Sequence, residues 1–571
     1  MNDILFLVLR RLRLPLIVLI MCYAVAVVGL SLMPGVVADG QPGRMTLFHA
    51  FYVVSYTATT IGFGEIPYAF SEPQRGWMIV VIYMSVIGWT YTLGSIFALV
   101  NDKTFRTALA RNLFAWQVRS LSERFFIVCG FGQSARLLAK ALDSMGLRVV
   151  VIEMDADREA RIVIENLGSP AVSLCADARF PDTLRDAGIN HPMCAGLLAM
   201  TSEDNANQTI AIGARTLAPN LQVIARAKSH IAQTNIHAFG GIEVINPFDT
   251  FAENIGIDLD APDVLRLEEW LTNSPYAECP GRLGIPQGGW VLVGFGRFGQ
   301  SIAQELESRG IAWQAVDHQP ISTLPNKRLL IDDNTEHSLH EAAIESASVV
   351  VAGTDNDSVN LAIATLARRA NPNIFVVIRQ NHIADAILIQ SAQASMRFVQ
   401  SDLMVHECLQ RIHVPMLRSF LKRIAASGGE QATRCIGHIE NTLGKQAPFV
   451  WTFECDIFHA GMFAAFCQGF GTNFKLFELS QDPHTFGEKL ACLPLMLERE
   501  DAFYLMPDPN MALHAGDRIL FVGSTDAKRL QQRFLDDAST LEFVRHGVEQ
   551  PRTWLFLKLK ARHAGRVKSK A

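Results

Sequence analysis

Two uncharged runs, Leu14 to Met33 and Trp77 to Val100, frame the first hundred residues. Each has roughly the ~20 apolar residues that one helix needs to cross a bilayer. Between them, Thr46 to Ala58 is apolar and aromatic but at ~1.5 Å per residue reaches only ~20 Å, too short to cross. It runs into Thr59-Thr60-Ile61-Gly62-Phe63-Gly64-Glu65. Backbone broken by glycines survives at membrane depth only where it lines a watery path inside protein. The pattern therefore predicts a first span (14–33), a glycine- and proline-rich outer loop (34–44), a re-entrant helix (46–58), an irregular stretch (59–65) and a second span (77–100). Arg10, Arg11 and Arg13 precede the first span, and Lys103, Arg106 and Arg111 follow the second. Both flanks then lie in the cytoplasm, as expected of a multi-pass protein of the cell (inner) membrane. A signal peptide ending at Val36-Val37-Ala38 competes, but the apolar run is long for one.

The chemistry of 59–65 follows from its glycines. Gly62 and Gly64 permit backbone angles that turn successive carbonyls inward. Rings of such oxygens can replace the water shell of a K+ ion. The Thr60 hydroxyl adds an oxygen at the inner end, while Ile61 and Phe63 point away and pack behind. His49, Tyr52 and Tyr56 bring polar groups near the stretch. The segment resembles the selectivity filter of tetrameric potassium channels, with Phe63 where Tyr is commoner and Glu65 where Asp is commoner. The resemblance implies a homotetramer surrounded by membrane lipid, with K+ held by Thr60, Ile61, Gly62, Phe63 and Gly64. It also implies that an inner-helix glycine acts as a gating hinge, for which Gly88 is better placed than Gly94. Close helix packing at Gly88 is the competing reading. Phe63 and Glu65 leave a weakly selective cation channel open as the alternative.

At 571 residues there is room for three or four domains. Hydrophobic residues make up 49%, which suits a small membrane part joined to a large soluble one. A net charge of −5 carries no nucleic-acid signal. The ten cysteines show no CxxC spacing and read as reduced thiols. From 101 to 123, Phe105, Leu109, Leu113 and Trp116 recur near helical spacing. They predict a linker that either carries the inner helix on toward the soluble part or lies along the membrane.

The soluble part is duplicated. Phe125 to Cys129 has a buried-strand pattern, Gly130-Phe131-Gly132-Gln133-Ser134-Ala135 opens a helix, and Val149 to Glu153 makes a second strand. This is the βαβ dinucleotide fingerprint: a tight glycine turn, phosphates at a helix N-terminus, an acid for ribose hydroxyls. Trp290 to Val293 then leads into Gly294-Phe295-Gly296-Arg297-Phe298-Gly299, with a second strand ending at Asp317. The acid follows the first glycine by 23 residues both times, Glu153 after Gly130 and Asp317 after Gly294. Leu197 to Ser202 before Asp204-Asn205, with Thr201, parallels Val349 to Thr354 before Asp355-Asn356, with Gly353 and Thr354. Val223 to Arg226 parallels Val376 to Arg379. Two such series mark an internal duplication.

A Rossmann pair behind a two-span pore resembles the RCK family, regulators of K+ conductance also called TrkA-N domains. The fold class expected is multidomain: a two-span α-helical pore (1–103), a linker (104–123), and two tandem α/β Rossmann-like domains (124–285 and 286–428). An α/β C-terminal lobe (429–545) and a basic tail (546–571) follow. The resemblance implies a cytoplasmic gating ring that responds to a small nucleotide such as NAD(H), ATP or ADP, or to a divalent cation, with Ca2+ left open. Glu153 and Asp317 repel a 2′-phosphate and argue against NADP. Arg297 can reach a phosphate. Asp177, and Asp332 with Asp333, follow third strands and either line the clefts or serve as solvated turn residues. Asp249 to Pro280 and Asp402 to Arg423 read as crossover helices. Pro507 to Leu520 resembles the end of a TrkA-type C-terminal lobe. No GxSxG, HExxH or P-loop lysine signature is present, so the chain is not expected to be an enzyme. A membrane-tethered NAD oxidoreductase is the more distant alternative; it needs a general acid that the sequence does not locate.

Overall fold

The computed structural model describes residues 2–36, 41–66, 68–162, 168, 171–272, 277–319, 329–330, 335–467, 474–537 and 539–547. Asp332, Asp333, the proposed cleavage site at 37–38 and the basic tail beyond 547 lie outside them. The chain divides into two compact units: residues 1–127, 150–165 and 170–194, and residues 128–149, 166–169 and 195–571.

In the first unit, the helices Asn2–Leu32 and Glu72–Asn101 contain stretches long and apolar enough to cross a membrane. A shorter helix, Leu47–Ala58, packs against both. Ala26, Leu30, Ala50, Val53, Val54 and Val81 form their shared core. Trp77 donates its indole N–H to the Ala26 carbonyl at 3.1 Å. Its ring lies so close that a Cβ on Gly29 would sit 2.1 Å away. The start of the inner helix is fixed by Ser71 and Gln74 in a reciprocal capping box, with Pro73 in the first turn.

The inner helix does not run on into the linker. It stops at Asn101, Asp102 is extended, and the Asp102 carboxylate caps a separate helix, Lys103–Arg119, by accepting the Phe105 N–H at 3.0 Å. Of the two arrangements open for the linker, the break bears on the first: a good N-cap residue starts a new helix here instead of extending the inner one. The linker helix buries Phe114, Ala115 and Val118. It packs on the strand Val172–Cys175 and the helix Pro181–Asp186, and Arg111 pairs with Asp186. Gly188 admits it, since a Cβ there would meet Val118 at 2.6 Å.

The two Rossmann modules share one topology. The first orders its strands Val172–Cys175, Arg148–Glu153, Phe125–Cys129, Cys194–Ala199, Gln222–Arg226, Glu243–Ile245. The second orders Leu329–Leu330, Trp313–Val316, Trp290–Val293, Val349–Ala352, Phe375–Gln380, Met396–Val399, all parallel. Both read 3-2-1-4-5-6, the dinucleotide-binding order, with a switch point beside the first strand.

Within the second unit the modules exchange helices. Pro247–Asp260, which follows the last strand of the first module, packs on Arg297–Ser308 of the second. Gln400–His413, which follows the last strand of the second, packs on Gln133–Ser144 of the first. Phe251, Phe298 and Phe398 form the contact at one site, with ring centroids 4.6 to 5.6 Å apart. The crossover expected over 249–280 is therefore two helices, Pro247–Asp260 and Pro262–Thr272.

The C-terminal lobe is a four-stranded antiparallel sheet in the order Phe449–Glu454, Arg518–Gly523, Cys492–Arg499, Ala502–Leu505. One face packs on the helices 262–272, 415–427 and 429–443. The other carries a second core around Trp451, Phe474 and Phe521. Asp517 is 1% exposed and receives two bonds from Arg499, at 2.8 and 2.7 Å. Arg499→Met would leave that carboxylate buried and poorly matched. The lobe is expected to lose about 3 kcal/mol, seen as an earlier thermal transition with peptides 449–523 exchanging first. The described cysteines are free thiols, and burial pushes Cys408, Cys435 and Cys492 up to about 12.

Candidate functional sites: the 59–65 stretch and the glycine turns

The short helix Leu47–Ala58 ends at Thr59, and the next residues alternate in backbone hand. Thr60, Gly62 and Gly64 have φ of 61°, 66° and 87°, while no positive φ occurs at Ile61, Phe63 or Glu65. An extended strand sends successive carbonyls to opposite sides; alternating hand sends them to the same side. Thr60 is the unusual member, because a side chain at positive φ costs about 1–2 kcal/mol. A Cβ on Gly62 or Gly64 would meet nothing within 4 Å, so these glycines answer a backbone requirement rather than a crowded one.

The stretch is braced from behind. Tyr56 accepts the Ile61 N–H on its carbonyl at 2.9 Å and donates its hydroxyl to the Gly64 carbonyl. Phe63 stacks on Tyr52 at 6.3 Å and meets Tyr56 edge-on at 5.5 Å. Ile61 and Phe63 are both left exposed in the single chain. Glu65 accepts two bonds from Arg75, at 2.9 and 3.2 Å, and the Phe70 N–H at 2.9 Å. This clamp gave no sequence signal, since its partners stand ten and five residues away. Gly88 lies within an unbroken helix, and a Cβ there would touch Cys22 and Leu19 at 3.5 and 3.7 Å.

The glycine turns follow the expected plan. Gly130 and Gly294 have φ of 87° and 91°. A Cβ on Gly130 would crowd Thr201 at 3.0 Å, and one on Gly294 would crowd Thr354 at 2.8 Å. Gly132 and Gly296 hold the N-cap positions of the next helices, without a side-chain cap. Open space surrounds both Cα atoms. The first-turn N–H groups are thus set up for an anion. Gln133 and Arg297 begin the helices. Phe131, Ser134, Phe295 and Phe298 are buried and act as packing residues. Gly299 is obligatory, since a Cβ would fall 2.4 Å from the Gly294 carbonyl.

The acids differ from the simplest expectation. Asp317 accepts the Phe295 N–H on Oδ2 at 2.6 Å and the Gln319 N–H on Oδ1 at 3.0 Å; His318 Nδ1 also stands 3.2 Å from Oδ1, and Oδ2 keeps a further lone pair. Glu153 is 7% exposed and accepts the Asp155 N–H at 3.0 Å. Asp177 is taken up by Arg179 at 2.7 Å, which holds its carboxyl below the usual carboxylate range. Thr201 and Thr354 are each held by a buried asparagine the sequence did not single out. Asn207 Oδ1 accepts the Thr201 N–H at 2.9 Å and hydroxyl at 2.7 Å. Its Nδ2 donates to the Thr201 and Arg226 carbonyls at 3.1 and 2.9 Å. Asn360 repeats this set on Thr354 and Arg379. The matched clamps correct the register of the repeat: Asp204 corresponds to Asp357, not to Asp355.

Cations from both modules gather beside these turns. Arg297 and Arg379 stand over the Phe248 ring at 5.8 and 5.4 Å. Burial holds the Arg226 guanidinium below its ordinary value; Asp204 opposes this and the charge of Arg297 adds to it. Burial also lowers Lys228, helped by Arg226 and Arg297. Arg226 Nε is buried without a hydrogen-bond partner among the described residues. Glycine cradles, uncapped helix starts and the half-buried Arg226, whose Nε lacks a partner among the described residues, fit a nucleotide's phosphates. No group of three or more His, Cys, Asp or Glu suited to a metal ion occurs among the described residues.

Residues 126–247 and 290–399 match the TrkA-N domain family. Potassium channel protein 1 of Methanocaldococcus jannaschii is 24% identical over 221 residues, 38% of this chain and 64% of that protein. The voltage-gated potassium channel Kch of Escherichia coli is 25% identical over 184 residues, 32% of this chain and 42% of that protein. The chain thus spans less than two thirds of either relative. The GsuK channel bound to NAD superposes with a TM-score of 0.46 at 15% identity, covering 93% of this chain and 99% of that one. Two successive segments of the chain thus match the TrkA-N domain family, and its relatives include potassium channel proteins.

Proposed function

We propose that the protein is a potassium channel of the membrane whose pore is gated by a nucleotide bound at its TrkA-N domains. Four copies surround one axis, and the carbonyls of Thr60 to Gly64 replace the water around K+. The observation that carries this reading is the alternating backbone of 60, 62 and 64. It is supported by the apolar side chains that Glu72–Asn101 leaves exposed, among them Ile79, Tyr83, Ile87 and Phe97, more than water tolerates.

Nucleotide, NAD(H) or an adenine nucleotide, occupies the turns Gly130 to Gln133 and Gly294 to Arg297. Its phosphates meet the helix starts and the Arg226, Lys228, Arg297 and Arg379 cluster, while Glu153 and Asp317 take ribose hydroxyls. Because Pro247–Asp260 lies on the helix that Arg297 begins, occupancy bears on both modules. Its effect reaches the pore through the linker helix, with Gly88 as the point where the inner helix bends. A ligand shifts this equilibrium only by its unequal affinity for the open and closed forms.

The test is current through reconstituted protein, with reversal potentials in mixed K+ and Na+ and with NAD+, NADH, ADP and ATP applied in turn. We expect K+-selective current and a response to at least one nucleotide. Arg297→Ala should raise the concentration needed by about tenfold or more, the scale of a lost charge-assisted contact. Glu153→Ala should weaken ribose-bearing ligands while leaving inorganic phosphate unchanged. Equal K+ and Na+ permeability would favour the weakly selective channel, and NADH turnover without current would favour an oxidoreductase. Unchanged responses in both variants would remove the nucleotide site.

A further inference from the structure

The linker helix Lys103–Arg119 has apolar side chains on two opposite sides. One side is covered: Phe114, Ala115 and Val118 are 2%, 8% and 0% exposed, against the strand Val172–Cys175 and the helix Pro181–Asp186. The other is bare: Leu109, Leu113 and Trp116 are 36%, 53% and 68% exposed. With ~3.6 residues per turn these three form one stripe, opposite the buried set. Arg106 and Arg119 fall on its two flanks. Both are exposed and neither has a carboxylate partner among the described residues. Arg111, by contrast, is engaged with Asp186. The helix sequence holds four cations and no acid.

Its position narrows what can cover the bare side. The inner helix ends at Asn101, and one extended residue, Asp102, separates it from the linker helix. The stripe therefore begins eight residues, a little over two turns, past the end of the inner helix, a placement near the bilayer that rests on the membrane reading above. A cationic helix with Leu and Trp on one side suits the headgroup layer, where an indole sits at the boundary and arginines reach the phosphates.

We propose that this side of the linker helix binds the cytoplasmic leaflet, and that Arg106 and Arg119 hold the phosphates of anionic lipid. The helix is then clamped between the membrane and the first TrkA-N domain, so lipid composition acts on the same element that links domain to pore.

The test uses the full chain in nanodiscs whose phosphatidylglycerol or phosphatidylcholine carries brominated acyl chains, which quench nearby tryptophan. Trp116 is isolated as the difference between wild type and Trp116→Phe. We expect Trp116 to be quenched, about twofold or more by the anionic lipid at equal mole fraction. The preference should vanish in raised salt and in the Arg106→Gln, Arg119→Gln double variant. Equal quenching by the two lipids would overturn the anionic preference. No quenching of Trp116 while Trp77 and Trp89 are quenched would mean that protein, such as a second copy, covers the stripe. Failure to quench any of the three would remove the membrane reading and this proposal with it.

Discussion

Gly64→Ala protein in liposomes is expected to pass less than about one thousandth of the wild-type K+ flux. Gly64 has a φ of 87°, and an added methyl group would touch nothing within 4 Å. The whole effect therefore comes from the backbone, where a side chain at positive φ costs about 1–2 kcal/mol. In the proposed ring of four copies that cost is repeated four times, about 4–8 kcal/mol against the conducting geometry. Every 1.4 kcal/mol is tenfold, so the loss should reach three powers of ten or more. Gly62→Ala should behave alike, from a φ of 66°. Gel filtration and thermal unfolding should stay near wild type, because neither glycine is buried among neighbours. A variant that conducts within a few fold of wild type would show that the carbonyls of 60–64 are not the ion's ligands.

The second large effect is on stability. Asn207→Leu should cost about 4 kcal/mol, and Asn360→Leu a similar amount. Each asparagine is almost fully buried, at 1% and 0% exposure, and each satisfies two donors and two acceptors. Leucine fills the space but strands the Thr201 N–H and the carbonyls of Thr201 and Arg226, at about 1–3 kcal/mol for each unmet group. Asparagine to aspartate is expected to be no better, because a carboxylate oxygen would face two carbonyls. Asn205→Ala, exposed on the same helix, should stay within about 0.5 kcal/mol. Denaturant unfolding followed by hydrogen exchange in peptides 194–226 separates this module from the rest. A loss below 1 kcal/mol would mean that the clamp is redundant.

How much could be read in advance depended on whether a feature's partners lay close in sequence. The glycine turns were legible because Gly130 with Glu153, and Gly294 with Asp317, carry both ends of a βαβ unit at fixed spacing. The stretch 59–65 was legible because glycine at every second position has few other uses. Apolar strands are poor rulers, however. Sliding Leu197–Ser202 against Val349–Thr354 by one residue looks as good, and only the hydrogen bonds of Asn207 and Asn360 fix the offset. The Arg75 clamp on Glu65 and the four-cation cluster arise from chain segments that meet only after folding. The linker break had a local sign, an aspartate ahead of a new amphipathic turn, while the hydrophobic spacing across 105–116 is the same for a continued helix and for a separate one.

The exchange of helices between the modules has a consequence for their history. Each copy leaves its own turn helix uncovered and shelters that of its twin, so neither could be discarded, shortened or replaced without stripping the other. Ancestral duplicates bound in this way can diverge in what they sense, but they must be inherited as a pair.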